Sequence, residues 1–124
     1  GGRVDALAVS GSALYVGGAF TTAGGSAANR IAKWDMTKTD NTGWSALGTG
    51  FNSTVIALAI SGSDLYVGGQ FTTNQGGTAG TLNRIAKWDT TTSTWSALGS
   101  GLGGTVVYVN ALAVSGSNLT FTHT

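Results

Sequence analysis

The chain is written in short apolar runs of period two, cut at regular intervals by small and polar residues. Val4-Asp5-Ala6-Leu7-Ala8-Val9 sets the large Leu7 and Val9 on one side of an extended chain and the small Ala6 and Ala8 on the other, which is strand patterning. Ser10-Gly11-Ser12 reads as a turn and Ala13 to Gly18 as a second strand, so the pair predicts a hairpin. Gly17-Gly18 ends it, at a place where glycine permits positive φ or close backbone approach. Thr21 to Ala28 reads as a polar loop, and about Arg30 to Trp34 as a third strand. Asp35 to Gly43 is a turn rich in residues that cap their own backbone, and Trp44 to Leu47 a fourth strand.

The same order then recurs. Leu58 answers Leu7 at a shift of 51, Trp88 answers Trp34 at 54, and Trp95 answers Trp44 at 51. The difference is absorbed by a longer loop at Thr72–Leu82 and a shorter turn after Asp89, as surface loops on a fixed scaffold allow. A third copy starts at Val109-Asn110-Ala111-Leu112-Ala113-Val114 and then drifts, with Thr122-His123 where Gly17-Gly18 stood. Four short strands in roughly fifty residues is the size of one propeller blade. The expected fold is therefore all-β: blades of four antiparallel strands over residues 1–54 and 55–108, and the first two strands of a third over 109–124. Propellers hold about 4–8 blades, so the chain is expected to assemble with copies of itself or to be a section of a longer propeller.

Composition narrows the function. Of 124 residues 41% are hydrophobic, enough for a core, but only 9% are charged, against roughly 25% in ordinary soluble proteins. Solubility rests on hydroxyls, which suits an extracellular or cell-surface setting. A net charge of +1 without a basic cluster argues against nucleic acid, and no run approaches the ~20 apolar residues of a membrane span. The 21 Gly and absent Pro fit tight turns. With no Cys, thiolate metal sites and thiol nucleophiles are excluded. The chain opens Gly1-Gly2 with no Met and no signal peptide, and reads as a processed product or a piece of something longer.

The apolar strand ending in Gly-Gly, the aromatic-Asp pairs Trp34-Asp35 and Trp88-Asp89, and the following Trp44 and Trp95 resemble the kelch repeat, in particular Gly-rich, kelch-like repeats of bacterial surface proteins. Kelch repeats usually carry Tyr in place of Trp34 and Trp88 and often a Pro after the Asp, where this chain has Met36 and Thr90. The resemblance implies a β-propeller whose blades pack their Trp and Tyr against the next, with Gly17, Gly18, Trp34, Asp35, Trp44, Gly68, Gly69, Trp88, Asp89 and Trp95 defining the blades. One kelch-like propeller carries copper oxidase chemistry on Tyr, His and Cys ligands; a chain with no Cys and only His123 cannot carry that site alone.

No catalytic, cofactor or metal site is expected. Asp35 and Asp89 are repeat equivalents, whereas a catalytic acid pair needs two different environments; turn capping explains both. Asp5 and Asp64 read as solvated. Gly24-Gly25 and Gly76-Gly77 lack the Lys-Ser/Thr and helix of a phosphate loop. Asn52-Ser53-Thr54 and Asn118-Leu119-Thr120 match the glycosylation acceptor pattern, as a Thr-rich chain does by chance. The function indicated is a non-enzymatic structural or interaction module whose partners are other copies or other blades, forming a ring or filament. The alternative is a glycan-binding propeller served by loop residues such as Thr22, Asn29, Asn74, Gln75 and Asn83.

Overall fold

The structure is a computed structural model and describes residues 2–74, 82–98, 109–115 and 117–123. Its strands are β1 (Val4–Ser10), β2 (Ala13–Gly18), β3 (Thr22–Ala23), β4 (Ser26–Ala27), β5 (Ile31–Asp35), β6 (Trp44–Ala46), β7 (Val55–Ser61), β8 (Asp64–Gly69), β9 (Ile85–Asp89), β10 (Thr94–Ala97), β11 (Val109–Ser115) and β12 (Asn118–His123). They form two four-stranded antiparallel meanders, β1-β2-β5-β6 and β7-β8-β9-β10, and the two-stranded sheet β11-β12.

Two local differences from the sequence reading have clear causes. The stretch taken for a polar loop carries the small hairpin β3-β4, turned by Gly24 and Gly25 at φ of 59° and 88°. The third strand starts at Ile31 because Arg30 is left-handed, at φ 69°. Its carbonyl accepts from Gly18 N–H and its own N–H donates to Phe20. Arg84, at φ 72°, repeats this with Gly69 and Phe71.

Side-chain alternation gives each sheet two unlike faces. In the first sheet Leu7, Val9, Leu14, Val16, Ala32, Trp34 and Trp44 share one face through direct cross-strand pairing. Ala6, Ala8, Tyr15, Gly17, Ile31 and Lys33 share the other. The sheets stack large face on small: β7 packs on β1 and β2, and β11 on β7 and β8. The core lies in the first junction, where Tyr15 and Ile31 meet Leu65, Val67, Ala86 and Trp88, closed by the stacked rings of Phe51 and Phe71 at 4.0 Å. A smaller cluster of Val16, Phe20, Ala28 and Ala32 lies on the first sheet's large face, beneath Ala23 of the β3-β4 hairpin.

The junctions are set by a bulge and a glycine. Each inner hairpin shifts register at the same place, after Val4, Val55 and Val109. The extra residue brings Val55 and Leu58, three apart, to the same side. Both then rest on Gly17 of the preceding sheet; Val109 and Leu112 rest on Gly68 in the same way. A Cβ at Gly68 would stand 2.6 Å from Val109 Cγ1. The second glycine of each pair serves its own sheet, since a Cβ on Gly18 or Gly69 would strike the carbonyl of Arg3 or Thr54. Gly68→Ala is therefore expected to destabilise by about 1–3 kcal/mol, the cost of overpacking a filled site. Gly62→Ala, at φ 59° with nothing within 4 Å, costs only the backbone strain of about 1–2 kcal/mol and leaves the packing intact. Urea unfolding measures both losses. Near-ultraviolet circular dichroism, which reads the buried rings, should change for Gly68→Ala alone.

Candidate interface between neighbouring sheets

The aromatic residues sit where cross-strand pairing puts them. Trp34 stands opposite Trp44 and Trp88 opposite Trp95, with ring centroids 4.9 and 4.7 Å apart. The second pair lies in the junction. Trp95 touches Phe51 at 4.4 Å, and its indole N–H donates to Leu47 O of the preceding segment at 3.0 Å. Trp88 is buried; Trp34 and Trp44, on the face turned away from the second sheet, are half-buried. Tyr15 faces the junction from the other side, and burial raises the pKa of its hydroxyl.

The loop candidates fall in separate places. Thr22 lies in β3, beside Val4, Val16, Phe20 and Trp44 on the first sheet's large face. Asn29 and Asn74 converge on Thr49: Asn29 Nδ2 donates to its carbonyl and Asn74 Nδ2 to its hydroxyl, each at 3.1 Å. Asn74, 4% exposed, also borders a groove of about 290 Å³ with Thr49, Ser93, Thr94, Trp88 and Trp95. Asn83 is left-handed at φ 54° and bonds through its N–H to Thr72. Gln75 lies outside the described residues. Asn52 ties the seam as well: its oxygen accepts from the N–H groups of Thr72 and Thr73 at 3.0 and 3.3 Å, and its nitrogen donates to the Thr72 hydroxyl at 3.0 Å. The Asn52–Thr72 pairing escaped the sequence reading, which took Asn52 only as part of a glycosylation pattern.

Asp5, Asp35, Asp40 and Asp89 have local partners. Asp35 accepts from the hydroxyl and N–H of Thr37 at 2.6 and 2.9 Å. Asp89 does the same with Thr91 at the same distances, and Asp40 with the N–H and hydroxyl of Thr42. An Asp followed two residues later by Thr marks all three turns in the sequence. Asp5, read as solvated, pairs with Arg3 at 2.7 Å. Among the described residues no group of three His, Cys, Asp or Glu could hold a metal, and no helix is long and apolar enough to cross a membrane.

The threonine hydroxyls, and next their N–H groups, hold Asp35 and Asp89 below the ordinary carboxylate value of 3.8. A folded pKa lowered in this way contributes stability above the unfolded pKa, and the contribution is lost as pH falls through the folded one. Both groups are solvent-exposed, so the effect on stability is small. Thr37→Val and Thr91→Val should each move the neighbouring carboxylate upward toward its ordinary value. A carbon-detected NMR titration below pH 5 reads this, and unchanged midpoints would contradict it.

No curated protein matches the chain. Among solved structures, the computationally designed Ika4 protein is 19% identical, with 98% of this chain and 86% of that one covered and a TM-score of 0.46. The designed Ika8 protein is 19% identical, with 97% and 42% covered and a TM-score of 0.43. A protein-family model described as the Rax2 C-terminal beta propeller domain matches residues 2–122. With that match spanning nearly its whole length, the chain belongs to this family of β-propeller domains.

Proposed function

We propose that the chain is a non-enzymatic structural and interaction module of an extracellular or cell-surface protein, which joins further blades side by side in a closed propeller or a filament. One observation carries this reading. The same device, a valine and a leucine on one sheet resting on a glycine of the sheet before, is used at two consecutive junctions. Each noteworthy acidic residue of the turns is engaged in holding its own turn, which leaves them structural work. The family has a cell-surface connection, in keeping with a surface poor in charge. In pattern the blades are kelch-like, with the Gly-Gly strand and the Trp-Asp pairs in kelch order.

A second reading has its own support in the groove beside Trp88 and Trp95. Indole rings with Thr49, Ser93, Thr94 and Asn74 around them supply the apolar face and polar rim that a sugar ring uses. A glycan array followed by calorimetry on any hit tests it: binding abolished by Trp95→Ala supports the lectin reading, and a flat array removes it.

The main reading predicts a contrast between equivalent residues. Val55 is fully buried in a junction and Val4 is 52% exposed on the first sheet's outer face. Val55→Ala should cost about 2 kcal/mol through lost burial and the cavity left. Val4→Ala should cost less than about 0.5 kcal/mol, as exposed substitutions do. Chemical denaturation measures both, and equal losses would overturn the account of the sheets as interlocking modules.

A further inference from the structure

The stack has two faces that no other sheet covers, and they are not a match for each other; on the first, the β3-β4 hairpin lies over Val16, Ala32 and Trp44 and leaves the β1 strip open. On the first sheet Val4, Leu7 and Val9 are 52%, 61% and 57% exposed. They stand where Val55, Leu58 and Ile60 stand in the second sheet and Val109, Leu112 and Val114 in the third. Those later copies are covered by a preceding sheet, so the fold itself shows twice what seats on this surface. It is a small-residue face with glycine opposite the bulged hairpin: Ala6, Ala8, Tyr15 and Gly17 at the first junction, Ala57, Ala59, Tyr66 and Gly68 at the second.

The corresponding face of the third sheet is Ala111, Ala113, Thr120 and Thr122, by the pairs Ala111 with Thr122 and Ala113 with Thr120. All four are exposed. Thr122 occupies the place of Gly17 and Gly68. Any Cβ at those glycines would run into the incoming valine, within 2.6 Å at Gly68, and valine has little rotamer freedom with which to yield. A second copy offering Thr122 to Val4 would meet the same collision with a larger side chain, and its own Gly17 and Gly68 are already taken by Val55 and Val109.

We infer that the Val4-Leu7-Val9 face is a docking surface for a propeller blade of another sequence, one with glycine at the place of Gly17 and tyrosine two residues before it, and that Thr122 bars a copy of this chain from filling it. This rests on the proposed blade-module reading and specifies its partner. It favours closure with unlike blades over a ring or filament of identical chains.

Sedimentation velocity on the 124-residue chain tests it, with a thermal melt of each variant as a check on folding. The wild type should not associate through this face, so Val4→Asp leaves its mass distribution unchanged. Thr120→Tyr with Thr122→Gly rebuilds the interior pattern on the third sheet and should tighten self-association at least about tenfold, the equivalent of one relieved clash. Adding Val4→Asp should reverse the gain. Thr120→Tyr with Thr122→Ala keeps the Cβ and should behave as wild type. The single Thr122→Gly variant serves if the double variant melts early. Wild-type association lost on Val4→Asp would overturn the inference, as would a folded glycine variant that stays monomeric. The blade-module reading has its own failure, equal costs at Val55 and Val4, so the two can be told apart.

Discussion

The seat of a branched side chain on a glycine is the constraint from which the rest of this structure follows. Val55 and Leu58 can approach β2 only because Gly17 has no Cβ, and Val109 and Leu112 approach β8 only because of Gly68. That approach brings the large face of one sheet onto the small face of the previous one. It buries Leu65, Val67 and Ala86 completely and carries the Phe51, Phe71, Trp88 and Trp95 rings into one seam. A sheet alone could not hide its large face, so stability is shared between neighbours, as in other repeat architectures. The polar seam at Thr49, joined by Asn29 and Asn74, and the Trp95 bond to Leu47 fix the outer edge of the same junction.

Much of this was legible in the sequence. Large-small alternation in Leu7-Ala8-Val9 and its two later copies announced the inner strands, and the spacing of Trp34 to Trp44 and Trp88 to Trp95 announced paired strands further out. The family match and the antiparallel sheets agree with the propeller class. The hairpin β3-β4 was missed because its strands are two residues long and lack large side chains, although Gly24-Gly25 is a turn signal for such a hairpin. The left-handed backbone of Arg30 and Arg84 was invisible, since arginine carries no preference for that region.

The division of labour within Gly-Gly was the hardest part to see. Sequence shows two glycines that recur; it does not show that the first yields to the next sheet and the second to its own bulge. That depends on the register shift after Val4, Val55 and Val109, which only pairing reveals. Loss of the first glycine at Thr122 was plain in the sequence as drift. Its consequence needed the neighbour's position. The loop candidates also dispersed for a structural reason: Thr22 belongs to a hairpin over one face, while Asn29 and Asn74 belong to the seam.

The most direct test of the central claim is a double-mutant cycle on Gly17 and Val55, with Gly17→Ala, Val55→Ala and both together followed by denaturant unfolding. If the valine rests on the glycine, shortening it makes room for the new Cβ. The two losses should then fall short of additivity, by about 0.5–3 kcal/mol as for residues in contact. Losses that simply add would show that the two residues do not meet, and the stacking described above would be wrong.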